Sequence, residues 1–408
     1  MKRIFGISFI CLLMSQVAFS GRPGQLFRTT VAGTTLTVNS TIPNWTYPHA
    51  GISSSHSGVS FSGCSYNSNG QCIFSVSDTQ SASLTITGAT TPIVVRLCLD
   101  GYGNTYNCEN VTVQLPSSAY VYVTNYASGT VSLCSVDSAT GMLSNNCTIA
   151  ASVFSAPRRI VLNSAGTLAY VVNENVNAGI SLCQVNPTTK LLTSCTQTPQ
   201  PAQPATFTNA SDIALNPSGT QAYVTDVTAG TISLCSVNAS TGALSSCLPT
   251  ILSVNAITGI VLNPAGTIAY YSQAGNVNAI SYSAVEPSTG LLGAVQLGVS
   301  VNGAPEAVTL NPTGTYAYIS NDTSGNISVC SVNPSTSALS NCQNTSNVFS
   351  GRGGVAFNAT GTRAYVPNFN TNLVYQCNVN SSTGLLSDCV DSGGATFSQP
   401  SGLAFINY

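Results

Sequence analysis

One tyrosine returns six times at nearly constant spacing, as Tyr122, Tyr170, Tyr223, Tyr270, Tyr318 and Tyr365, with steps of 48, 53, 47, 48 and 47 residues. The surrounding residues return with it. The clearest unit reads Ala222-Tyr-Val-Thr-Asp, then Gly230-Thr-Ile-Ser-Leu-Cys-Ser-Val-Asn, then Ser240-Thr-Gly-Ala-Leu-Ser-Ser-Cys247, and later Gly259-Ile-Val-Leu-Asn-Pro-Ala-Gly-Thr267. A period of this length rules out a fold built around a single core. Each copy must be one supersecondary unit that buries its faces against its neighbours.

Each copy reads as four short strands. An apolar run such as Ile213-Ala-Leu meets a turn containing Asn-Pro-x-Gly-Thr, a composition suited to tight reversal. An aromatic and β-branched strand follows, then an alternating one such as Ile232-Ser-Leu-Cys, then a short polar strand after Ser-Thr-Gly. Four antiparallel strands per 40 to 50 residues is the pattern of a propeller blade. The array starts on the tyrosine strand, Tyr120 to Asn125, and ends with Ser401-Gly-Leu-Ala-Phe405, which aligns with Gly353-Gly-Val-Ala-Phe357. The last residues therefore complete the first blade. Ring closure of this kind hides sheet edges that would otherwise pair with other chains. The expectation is an all-β chain with a six-bladed propeller over residues 117–408, closed by the C-terminal strand.

The 15 cysteines fit an exported protein. Setting aside Cys11 leaves close pairs: Cys64/Cys72, Cys98/Cys108, Cys134/Cys147, Cys183/Cys195, Cys235/Cys247, Cys330/Cys342 and Cys377/Cys389. In five copies one cysteine sits on the third strand and its partner 12 or 13 residues on, across the hairpin. The fourth copy lacks both and carries Ser283 and Val295, the joint loss expected of a bonded pair. The alternative is bonding between neighbouring blades. Zinc would need CxxC-type spacing or histidine partners; the cysteine intervals are 8 to 13, and the two histidines, His49 and His56, lie outside the repeats. No metal or cofactor is expected.

Ala222-Tyr-Val-Thr-Asp, Tyr122-Val-Thr-Asn and the recurring Leu-Asn-Pro-x-Gly-Thr resemble the YVTN-type β-propeller repeat. Ser236-Val-Asn-Ala-Ser-Thr-Gly-Ala-Leu-Ser also resembles blades of the lactonase-like (6-phosphogluconolactonase-type) propellers. The resemblance implies the propeller fold and, for chemistry, a lactone hydrolase. The lactonase group typically has seven blades where this chain shows six copies, and blade disulfides are unusual for it. No catalytic residue is carried over.

Ahead of the repeats, Lys2 and Arg3, the apolar Ile4 to Val17 and Ala18-Phe19-Ser20 form a signal peptide, residues 1–20. No transmembrane segment is expected after its cleavage. Residues 21–116 lack the repeat motifs but carry strand-like runs: Thr35–Val38, Val59–Phe61, Cys72–Val76, Ser83–Ile86, Ile93–Leu97 and Val111–Val113. They suggest a small immunoglobulin-like β-sandwich. Its four cysteines allow three connectivities. A seventh blade from this stretch is the competing assignment.

Charged residues make up only 5% of the chain, which excludes a nucleic-acid binder that must neutralise phosphates. From residue 117 onward there are 14, and eight fall at the starts of the innermost strands or the ends of the second strands, which share one propeller face. They are Arg158, Arg159, Glu174, Asp212, Asp226, Glu306, Asp322 and Arg352. Such a gathering is either a ligand site at the channel mouth or a ring of inter-blade salt bridges and turn caps. With no histidine in the propeller, Ser-His and Cys-His mechanisms lack their base. Three functions fit: an exported, monomeric recognition module binding a protein or glycan; a hydrolase or isomerase using Arg158, Arg159, Asp212, Glu306 or Arg352; or a structural envelope component. The compartment is periplasmic, cell-surface or extracellular.

Overall fold

The computed structural model describes residues 119–407, except 138–139, 176–177, 198–206, 253–254, 276, 346–348, 350–351 and 394–396, and the strands between residues 27 and 113. The expected signal peptide, His49, His56, Cys64 and the joint at residues 116–118 lie outside the described residues. The described elements are all strands, in two compact units, Met1–Ser118 with Tyr408 and Ala119–Asn407. In the first unit, strands Phe27–Ala32, Thr35–Ser40, Ala82–Thr87 and Ser60–Ser62 form one antiparallel sheet. Ser65–Tyr66, Cys72–Phe74, Ala50–Ser54, Ile93–Leu99 and Asn107–Val113 form another. Register places Cys98 opposite Cys108.

The second unit holds six four-stranded antiparallel sheets among the described residues. Blade 1 runs outward from Pro400–Asn407 through Ala119–Asn125 and Thr130–Val136 to Thr148–Ala151, so the C-terminal strand is its innermost member. Innermost strands of blades 2 to 6 are Pro157–Leu162, Ala210–Leu215, Ala256–Leu262, Pro305–Leu310 and Ala356–Phe357. The core lies between blades. Tyr365 and Val374 of blade 6 pack with Val121, Val123 and Leu143 of blade 1, closing the ring with the same kind of contact that joins blades 2 and 3.

The repeated tyrosine now has a physical role. Each phenol is at most 1% exposed and donates to a backbone carbonyl in the outer turn of the next blade. The acceptors are Lys190, Gly242, Gly290, Ser337, Gly384 and, from Tyr365 back to blade 1, Gly141. Each acceptor residue has positive φ, between 61° and 77°, which turns its carbonyl toward the neighbour and explains the glycine of Ser-Thr-Gly. A buried hydrogen bond of this kind contributes roughly 1 kcal/mol. The Asn of Asn-Pro-x-Gly-Thr accepts from backbone N–H groups four and five residues on, as Asn216 does from Thr220 and Gln221.

Five disulfides join the third and fourth strands within single blades: Cys134–Cys147, Cys183–Cys195, Cys235–Cys247, Cys330–Cys342 and Cys377–Cys389. In the last four the strand register shifts at the first cysteine, so the bond staples a bulge. In blade 4 the buried Ser283 instead meets the Tyr271 hydroxyl at 3.2 Å. Such covalent closure fits an oxidising compartment. Among the described residues no helix is long and apolar enough to cross a membrane.

Candidate functional site at the propeller axis

The innermost strand of blades 1 to 5 begins with a register shift, and the residue at each shift is Ser401, Arg158, Ser211, Thr258 or Glu306. Three carry hydroxyls that reach the next blade. Ser401 Oγ donates to the Pro157 carbonyl at 2.7 Å, Ser211 Oγ to Ile257 at 3.0 Å and Thr258 Oγ1 to Pro305 at 2.6 Å. The other two, Arg158 and Glu306, are opposite charges on blades 2 and 5, three steps apart in a ring of six. They face each other across the axis, and the Arg158 Nη2–Glu306 Oε2 ion pair closes it. Nη1 of Arg158 also holds Glu174 Oε1 at 2.8 Å.

Arg159 lies beneath this bridge, 5% exposed. Its Nη1 donates to the Ser401 carbonyl at 2.8 Å and the Arg158 carbonyl at 3.2 Å, and Nη2 to the Glu306 carbonyl at 3.0 Å. Its Nε stands 3.7 Å from Asp212 Oδ2. Asp212 accepts from the Ile213 and Ile260 backbone N–H groups at 2.8 and 3.1 Å, tying blade 3 to blade 4. Arg352, on blade 6, reaches Glu174 at 3.4 Å. Six of the eight residues singled out from the sequence thus share one network through the axis: Arg158, Arg159, Glu174, Asp212, Glu306 and Arg352.

The other two stand apart. Asp226 caps its own loop, accepting from the Thr208, Asn209 and Ala229 backbone N–H groups. Its equivalents Asn125 and Asn173 do similar work, accepting from Ser398 and Ser155. Asp322 is exposed and joins none of the arginines among the described residues.

Burial sets the electrostatics. It pushes the Arg159 guanidinium down to about 10, against the pull of Asp212. Burial likewise raises Asp212, and neither Arg159 nor the two backbone N–H groups offset it. Arg158 is equally buried, but Glu306 and Glu174 outweigh desolvation and the net shift is upward. Burial raises the Tyr126 phenol, and the Glu174 carboxylate adds to the shift.

Sequence reading missed two features. At the rim, Tyr126 meets Phe369 edge-on at 5.5 Å, and the Arg352 guanidinium lies 5.7 Å from the Phe369 ring centre. Both aromatics follow directly after the aligned residues Asn125 and Asn368, as Glu174 follows Asn173, so the repeat did contain this rim position. The second feature is a cavity of about 430 Å³ along the axis, with Arg159 and Asp212 in its wall at one end and Pro217 and Pro264 at the other.

The family model described as lactonase, 7-bladed beta-propeller, matches residues 111–251 and 246–356. Among solved structures, the periplasmic gluconolactonase of Pseudomonas aeruginosa is 15% identical with a TM-score of 0.50, over 78% of this chain and 96% of that one. A functionally unknown protein from Desulfotomaculum acetoxidans is 15% identical with a TM-score of 0.50, over 76% and 95%. A chain of a nidogen/laminin complex is 11% identical with a TM-score of 0.51, over 70% and 98%. These identities speak for the fold alone. No curated protein matches the sequence.

Proposed function

The chain belongs to the lactonase family of β-propellers, and from that premise we propose that it is an exported recognition protein that binds a glycan at the rim of its channel mouth. One observation carries this reading: the charged groups that a lactone hydrolase would aim at substrate are spent on one another. Arg158 is shared by Glu174 and Glu306, and Arg159 is tied to backbone carbonyls and faces Asp212. What remains at the rim is Tyr126 and Phe369 with the half-buried Arg352 above the paired Glu174. Aromatic faces take the C–H side of a sugar, and the charged groups beside them take its hydroxyls. The signal peptide over residues 1–20 would deliver the chain to the oxidising compartment its disulfides require, and an immunoglobulin-like module over residues 21–116 would set the propeller's placement.

The second reading is lactone hydrolysis or isomerisation, favoured by the family and by the like fold of the Pseudomonas aeruginosa gluconolactonase. The experiment is a glycan array of the mature chain beside a gluconolactone ring-opening assay. Saturable glycan binding that weakens at least tenfold in Phe369→Ala, with lactone opening no faster than in buffer, is the expected result. Lactone turnover abolished by Arg159→Gln would overturn it.

A further inference from the structure

The mouth cluster leaves a second feature of the axis unused. The cavity behind it takes aliphatic wall residues from every blade, among them Leu403, Val161, Leu215, Leu262, Val308 and Val355. The end nearest the mouth cluster is polar and buried. Arg159 and Asp212, 5% and 6% exposed, form part of that end. The Arg159 Nη atoms are committed to the carbonyls of Ser401, Arg158 and Glu306, whereas Nε, a buried donor, has no hydrogen-bond partner among the described residues. Its neighbour Asp212 Oδ2 lies 3.7 Å away, too far for a hydrogen bond. That oxygen accepts one backbone N–H, from Ile260, and a carboxylate oxygen has room for more. At the other end Pro217 and Pro264 are exposed, so access does not require the mouth ion pairs to open.

We propose that this channel binds a small neutral amphiphile, an alcohol with an unbranched medium-length hydrocarbon body, whose hydroxyl accepts from Arg159 Nε and donates to Asp212 Oδ2. A hydroxyl is the simplest group that both accepts and donates at one atom, and it fits between a donor and an acceptor that do not reach each other. A carboxylate head would accept from Arg159 but meet the Asp212 carboxylate. An ammonium head would donate to Asp212 but meet the guanidinium. Either would be an unpaired charge in a buried site. The hydrocarbon body lies against these aliphatic side chains, and burial of each methylene contributes to binding. The volume falls within the range of pockets that enclose small molecules.

The test is calorimetric titration of the mature chain with butanol, hexanol and octanol, and with octanoate and octylamine at the same concentrations. Expected is one-to-one alcohol binding that tightens about fourfold per methylene (~0.8 kcal/mol), with octanoate and octylamine at least tenfold weaker than octanol. Val161→Phe and, as an independent filling variant, Thr309→Phe should each weaken octanol at least tenfold in a protein that melts like the parent. No alcohol binding up to the solubility limit overturns the proposal, as does octanol binding that a folded filling variant leaves unchanged. Octanoate or octylamine binding as tightly as octanol overturns the neutral head group. Glycan binding at the rim is measured separately, and neither filling variant touches Phe369 or Arg352, so failure of one reading is distinguishable from failure of the other.

Discussion

Replacing Arg158 with Gln removes the one cation shared by Glu174 and Glu306. The arginine side chain is 3% exposed and each carboxylate 15%, so the charges left behind are mostly out of water. Glu174 keeps Arg352, but Glu306 keeps no cation among the described residues. Removing one partner of a buried pair costs about 3 to 5 kcal/mol, against about 0 to 1 for a solvated one. Residual hydration of the two carboxylates places this case at the lower end, about 3 kcal/mol. For a unit of about 290 residues, whose unfolding entropy is about 0.6 kcal/mol/K, that lowers the melting temperature by about 5 °C. Calorimetric melts of Arg158→Gln, Glu306→Gln and the double variant form a cycle. The double variant should be less destabilised than the sum of the singles, with a coupling of about 1 to 3 kcal/mol. An Arg158→Gln protein melting within about 2 °C of the parent would refute the reasoning, because the mouth would then be a hydrated surface and not a closed axis.

Tyr365→Phe leaves the Gly141 carbonyl without its donor at the closing interface and should cost about 1 to 2 kcal/mol in the same melts. Deleting residues 400–408 removes the innermost strand of blade 1 and should abolish cooperative melting or cause aggregation, read by light scattering. Non-reducing peptide mapping should find the five intra-blade disulfides, and a peptide joining two blades would contradict the register. Because burial raises Asp212, the folded chain keeps that proton where the unfolded chain has lost it, and stability falls as pH rises through this window. Asp212→Asn, which lacks the titration, should therefore gain on the parent in melting temperature from about pH 4 upward; a parent that gains on the variant would reverse the sign assigned to Asp212.

Much of this fold could be read from the sequence because a propeller repeats its constraints. Tyr122 and its five equivalents mark the second strand because one phenol per blade must reach one turn of the next. The Asn-Pro-x-Gly-Thr turn marks the end of the innermost strand because its asparagine caps two N–H groups at once. The cysteine spacing of 12 or 13 is the reach of one hairpin. The charged residues could be placed on one face by the same alignment, but their partners could not. Arg158 and Glu306 are 148 residues apart, and alignment places them in one column without showing that this residue sits at a bulge and turns inward. Tyr126 and Phe369 share one aligned position, but the other copies carry Glu174, Val227, Ala274 and Asp322 there, so the position shows no recurring residue type to mark it. Their meeting depends on blades 1 and 6 being neighbours in space.

The column of bulged residues also bears on the number of blades. In a ring the side chain at this position has two places to go, the next blade or the opposite one. Ser401, Ser211 and Thr258 are short and bond to the next blade, a contact that any number of blades permits. Arg158 and Glu306 are long and meet across the axis, which requires two blades to lie diametrically opposite. An odd ring has no diametrically opposite pair, and there Glu306 would lose its partner across the axis while Arg158 kept Glu174. Buried ion pairs stabilise little beyond what well-packed apolar residues would supply, and their best-attested use is to fix register. In a chain with only 14 charges after residue 117, an opposite pair placed three copies apart fits a ring of six, in which the two blades lie opposite each other.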